Sequence, residues 1–493
     1  MRTRSRQVLL AALLLGVVGD QMLRGGMPRV GFALLVLLGI CCVTLIGGRG
    51  QGERSLILAG VGVAAIGLAL RDSPMLFVVD LLSVLCMGAL AVWHGSGRRL
   101  SQLELPDPPR AALLAVFTAV VAAPQVVRAS ASETALSGAR AARIRAVMIG
   151  AVFAVPPLLI VASLLGSADV FFGRLLEALA EALDSGFGTG VEHLVAIAVL
   201  AWLATGWLQG TLGGATGARV PEVRSPSIAF TSVSVALYGL VVLLALFLGT
   251  QARVLFGGAA YLDETAGLTV AEYARAGFFQ LVIAAGVVLG TLLAADWLTE
   301  EREDDRRYRA VGTVLVLLVT ALLGSAVARM WLYVHHYGLS VERAFAIAQM
   351  VWVFAALGAF TATVLRGHRA RFVPALLAVT IVWVALLNAA NPESLVVRVN
   401  VARATEGSTR AGQGFDVAYH ADLSADALPA LLAAAATLPA RECEALGVAL
   451  AEQWARVSAT HRAHADWRGL DLPLARALAW SERNALPACG GRG

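Results

Sequence analysis

RMWLYVHHYGLSVER, residues 329–343, separates two uncharged apolar runs, Val311–Ala328 and Ala344–Leu365. A helix rises ~1.5 Å per residue and a bilayer core is ~30 Å thick, so about 20 apolar residues make a crossing. The two runs therefore read as neighbouring transmembrane helices joined by a short turn at Gly338, with Arg, His, Tyr, Trp and Glu crowded where they leave the lipid. Composition extends that reading to the whole chain. With 58% hydrophobic and 15% charged residues and a mean hydropathy of +0.73, it is too apolar for a soluble protein of this size. The fold class is all-α, a polytopic helical membrane protein.

Working outward, Gln7–Leu23, Val30–Gly48, Ser55–Leu70 and Ser73–Trp93 form an N-terminal four-helix segment, residues 1–93. Arg2, Arg4 and Arg6 precede the first run; no small-residue cleavage site closes it, so it reads as an uncleaved anchor. Residues 94–145 hold seven Arg, the break PDPPR at 106–110 and one short apolar run, Ala111–Pro124. That run suits an interfacial helix within a cytoplasmic linker. Ala146–Ala168, Leu194–Gln209, Ile228–Thr250, Ala276–Ala295, the two runs around Gly338 and Phe372–Ala390 make a seven-helix core, residues 146–390. Residues 391–493 have ordinary soluble composition and form a small helical domain, with Ser424 or Asp426 as a helix cap and Pro439 as a stop.

Loop arginines orient this arrangement, because positive residues are retained on the cytoplasmic side. With 111–124 interfacial, about eleven spans place 21 Arg inside and 8 outside. The N-terminus is then cytoplasmic, while the 329–343 stretch and residues 391–493 are extracytoplasmic. Counting 111–124 as a span inverts every later loop. The net charge of +5 is dispersed among loops, which excludes nucleic acid as a partner; the lipid bilayer is the partner, and all 39 basic residues are Arg. Cys41, Cys42 and Cys86 fall within spans and pack as small apolar groups. Cys443 and Cys489 lie in the tail, where an oxidising compartment lets them pair; a ~45-residue loop would then constrain the unfolded tail by about 4 kcal/mol. The reduced pair is the alternative.

Several motifs, QARVLFGG at 251–258, VAEYARAGFFQLV at 270–282, YVHHYGLSVERAF around Gly338, and NPESLVVRVNVAR followed by LSADALPALL, occur in this order. Together they resemble bacterial polytopic membrane proteins of domain of unknown function 4173 and its relative 4153. The resemblance implies a helical membrane fold in the cell envelope and no established activity. Tyr337–Arg343 is similar to a family element that commonly reads YGLT, with Ser340 in place of Thr.

Candidate chemistry is sparse. Arg329, Glu342 and Arg343 flank the turn and suit an ion-pair staple between helices; the same arginines could hold an anionic ligand or lipid headgroup. His335 and His336 diverge by ~100° in a helix and so do not share a metal easily. With His420 one of them could enter a zinc site, although no HExxH or CxxC is present. Asp80 is the carboxylate well inside a span, where an unpaired charge costs at least ~2.5 kcal/mol. It is either a hydrogen-bonded structural acid or a coupling site, whereas Asp20 and Asp296 lie nearer helix ends. No nucleotide loop, nucleophile elbow or other cofactor motif appears. Three function classes stand. The first is a non-enzymatic envelope protein whose tail, residues 391–493, binds an envelope partner, senses a signal or packs on its own membrane domain. The second is a secondary transporter or proton-coupled permease using Asp80, and the third an outer-face lipid-modifying enzyme.

Overall fold

Long apolar runs satisfy their backbone groups internally as helices, the form that a bilayer tolerates. The computed structural model describes residues 2–23, 29–48, 52–103, 107–131, 174, 175, 178, 190–213, 230–266, 278–299, 305–405, 415–435, 437–463 and 472–476. Among them no strand occurs. The membrane part comprises α1 (Arg2–Leu23), α2 (Arg29–Gly47), α3 (Glu53–Leu70), α4 (Pro74–Gly95), α5 (Asp107–Ala131), α6 (Gly190–Thr211), α7 (Phe230–Ala266), α8 (Phe278–Leu298), α9 (Asp305–Tyr337), α10 (Val341–Thr363) and α11 (Phe372–Ala390). The tail contributes α12 (Pro392–Thr405), α13 (Val417–Ala421), α14 (Leu428–Ala435) and α15 (Ala440–Ala463).

Ten helices among the described residues, α1–α4 and α6–α11, are long and apolar enough to cross a membrane. Their outward faces are built for lipid: Leu10, Leu45, Val235, Leu246 and Leu386 are 63–78% exposed. A soluble monomer rarely tolerates so much exposed apolar surface. The expected span Ala146–Ala168 lies outside the described residues.

Two apolar cores lie side by side. One joins α1–α6 through Val8, Ile57, Met87, Val126 and Leu208; the other joins α7–α10 through Leu237, Leu292, Leu322 and Phe360. Helix α11 serves both, with Phe372 in the second and Leu377 and Val384 in the first. Small residues bring helices close, as at Gly206 of α6, where an added Cβ would collide with the backbone of Ala119 in α5.

Helix α5 differs from the short interfacial segment expected for 111–124. It is 25 residues long, about 37 Å, and packs against α1, α4 and α6. The PDPP break starts this helix rather than ending it. Proline at the first helical positions forfeits no hydrogen bond, and buried Asp107 holds Arg110 at 3.1 Å in the first turn.

Helix ends segregate to two faces. Arg4 with Leu212, Glu53 with Leu100, Gly95 with Gly210, and Arg369 with Asp296 mark one. Asp20 with His193, Arg29 with Asp72, and Arg71 with Asn388 mark the other. On this second face the tail helices dock, forming a third apolar cluster in which Leu339 and Val341 of the α9–α10 turn meet Val396, Leu431 and Leu446.

Candidate functional site

The YGLS-x-x-R element is a helix stop, a helix start and a clamp between them. Gly338 ends α9 because it adopts φ +82°, a left-handed conformation that side chains disfavour. Ser340 is extended and caps α10, its hydroxyl accepting from the Arg343 N–H at 3.4 Å. The Arg343 guanidinium turns back, donates to the Gly338 carbonyl at 2.5 Å, and lies 4.1 Å from the centroid of the Tyr333 ring. Arg343 thus acts here through carbonyl capping and a cation–π contact. Among the described residues no ion pair joins Arg343 to Glu342.

The turn leaves backbone groups that its own helices cannot satisfy, and the tail supplies their partners. Asn400 Oδ1 accepts from the Leu339 N–H at 2.8 Å, while its Nδ2 donates to the Leu339 carbonyl at 2.7 Å. The Tyr419 hydroxyl accepts from the Val341 N–H at 2.9 Å, and Arg403 donates to the His335 carbonyl at 2.6 Å. Asn400 also donates to His420 Nε2 at 3.0 Å, which fixes the neutral tautomer whose Nδ1–H donates to the Asp416 carbonyl at 2.6 Å. Phe415 stacks on the same imidazole, with centroids 4.1 Å apart.

A second latch joins the tail to the loop between α3 and α4. Buried Asp426 accepts from the N–H groups of Asp72 and Ser73 at 2.6 and 3.0 Å, with Arg71 at 3.5 Å. It therefore holds the turn that leads into α4, and not the start of the tail helix beside it as its local sequence suggested. Asp72 returns the contact by accepting from the Ala425 N–H at 3.2 Å, and Glu393 accepts from the backbone and hydroxyl of Ser424 at 2.8 and 2.6 Å.

Between turn and tail lies a cavity of about 350 Å³, walled by Tyr337, Glu342 and Arg343 from the membrane part and by Asn400, Arg403, Asp416, Tyr419 and His420 from the tail. Burial lowers the Arg403 guanidinium from its ordinary value, and the Arg343 charge pushes the same way. Burial also lowers the His420 imidazole, against the raising effect of Asp416. The Tyr419 phenol is raised by burial, opposed by its bond from Val341. The wall thus offers two mutually repelling cations and the hydroxyls of Tyr337 and Tyr419 beside the carboxylates of Glu342 and Asp416, which suits a small polar ligand whose anionic group meets the arginines.

The predicted residues divide around this cavity. Tyr337, Glu342 and Arg343 line it. His335 stacks on Trp331 with centroids 5.5 Å apart and offers its carbonyl to Arg403. The His336 side chain lies outside what is described. Arg329 is buried two turns deeper in α9 and takes no part in the wall. Both ring nitrogens of His420 are engaged within the tail, so it does not join the histidines of α9 at a metal; among the described residues no group of three His, Cys, Asp or Glu side chains is placed to hold one. Cys443 is buried and disulfide-bonded, and Cys489 lies outside the described residues.

Asp80 is 0% exposed and accepts from Asn388 Nδ2 at 2.9 Å, with Gly67 leaving room for both side chains. Asp20, expected near water, is instead buried and pairs with His193 of α6 at 2.5 Å. Sequence reasoning missed that pair, and it missed Asn400, Arg403, Tyr419 and Asp426. For the last four the signal was present, since NPESLVVRVNVAR contains Asn400 and Arg403 and LSAD contains Asp426.

A family described as Domain of unknown function (DUF4153) matches residues 58–434. That span includes both latches and every residue named on the cavity wall. No curated protein and no solved structure matches the chain.

Proposed function

The chain belongs to the family described as Domain of unknown function (DUF4153), and from that premise we propose a non-enzymatic binding and sensing role in the bacterial cell envelope. The docked C-terminal module and the α9–α10 turn together receive a small polar ligand with an anionic group, and binding tightens the docking. One observation carries this reading: the cavity wall is divided between turn and tail, so a ligand within it touches both. Whatever fills the cavity stabilises the docked state by the free energy of its binding. The Arg distribution of 21 against 8 supports a cytoplasmic assignment for the face of Arg4 and an extracytoplasmic one for the cavity. The transporter reading rests on Asp80, and its closure against Asn388 favours a structural acid instead.

Thermal unfolding of the purified full chain, with phosphate, pyrophosphate, citrate and glutamate added in turn, tests the proposal. At least one anion is expected to raise the midpoint of the wild type by several degrees while leaving Arg403→Gln unmoved. Equal shifts in both proteins, or none in either, would count against the site.

A further inference from the structure

On the face opposite the docked module, α2 and α3 leave a groove of about 620 Å³ between them. Leu37, Ile40, Leu58, Ala59 and Gly62 line its length, and Arg54 stands at its end. Its depth comes from Gly62, where a Cβ would meet only the side-chain ends of Ile40 and Leu37, at 3.7 and 3.8 Å. Both helices are long and apolar enough to cross a membrane, so the groove runs along the lipid-facing bundle and ends in a cation.

Among the described residues that cation has no neutralising partner. Arg54 Nε and Nη2 are buried without a hydrogen-bond acceptor. The adjacent Glu53 is committed elsewhere, accepting from the N–H groups of Leu100 and Ser101 at 2.7 and 3.4 Å and lying 3.7 Å from His94. Arg4 acts on Arg54 as a second positive charge, its own guanidinium donating to the Leu212 carbonyl. Donors left unanswered at the edge of an apolar groove are costly. An occupant that answers them must carry an anion at one end and hydrocarbon along the rest.

We propose that the α2–α3 groove binds one anionic phospholipid, with an acyl chain along Leu37, Ile40, Leu58 and Gly62 and the headgroup phosphate against Arg54. A free anion would leave the apolar length bare, and a zwitterionic lipid would leave the positive charge uncompensated. Basic pockets between transmembrane helices recognise lipid headgroups by this combination.

Native mass spectrometry of the full chain with added phosphatidylglycerol or phosphatidylcholine tests it. The wild type is expected to retain one phosphatidylglycerol with about five- to tenfold preference, the ratio expected of one interfacial arginine. Arg54→Gln should bring the two lipids near parity. Gly62→Leu, which fills the groove without displacing backbone, should lower retention of both. In Arg403→Gln, whose turn–tail cavity is disabled, inorganic phosphate alone should leave thermal unfolding unchanged. An unaltered preference in Arg54→Gln, undiminished retention in Gly62→Leu, or stabilisation of Arg403→Gln by phosphate matching that of the lipid overturns the proposal.

Discussion

Asn400 does for the α9–α10 turn what a neighbouring strand does for a sheet edge, since one amide answers both the N–H and the carbonyl of Leu339. Its remaining proton binds His420 to the same network, so the network requires a neutral imidazole. The His420 value in the folded protein is lowered by burial, below the ~6.5 of an unfolded chain. The unfolded chain therefore holds more protons between those two values, and stability rises with pH across that window. Docking of the tail should be complete above about pH 6.5 and weaken as the pH falls below it; His420→Gln, which retains an acceptor, should flatten that dependence in pH-resolved proteolysis. The intramembrane acid makes a different demand at the same scale. A Cβ on Gly67 would meet Asp80 Oδ2 at 2.5 Å and the Asn388 amide at 2.8 Å. Gly67→Ala should thus cost about 1–3 kcal/mol through overpacking, whereas Asp80→Asn keeps an acceptor for Asn388 and should lower the unfolding midpoint far less. The reverse order would mean that Asp80 serves as a charge and not as a packed partner.

Among the elements, α4 is preceded by a turn that is held by a residue far away in sequence. The N–H groups of Asp72 and Ser73, immediately before the helix, both donate to Asp426. Asp426→Ala should cost about 1–3 kcal/mol and loosen the tail, read as faster proteolysis between α11 and α14; Asp426→Asn should recover part of the loss. The spans themselves were legible because apolar length is a local property of a segment. The Gly338 turn was legible too, since a glycine between two apolar runs announces a stop. The residues that clamp the turn were hidden for a physical reason: Asn400 is uncharged, Tyr419 is unremarkable in a soluble helix, and Asp426 looks like a local cap. Their partners are fixed only when the tail folds back on the membrane part. Helix α5 was shortened in sequence reading because Pro108 and Pro109 resemble a break, although prolines in a first turn are compatible with a helix.

At the scale of the whole molecule, two apolar cores share α11, and the tail closes one face of the assembly. The two faces carry different chemistry. One gathers arginine-rich loops and the lipid groove, and the other gathers both latches and the cavity. The orientation proposed from the loop arginines predicts that alkaline phosphatase fused after Gly493 is active and a fusion near Arg307 inactive; the opposite pattern would reverse the faces. The central claim is that the C-terminal module is clamped to the α9–α10 turn by Asn400 and Tyr419. Amide hydrogen exchange of the full chain at Leu339 and Val341 measures this directly. Both amides should be protected in the wild type, and Asn400→Leu should release them while the cores of α9 and α10 stay protected; fast exchange at both positions in the wild type would contradict the clamp.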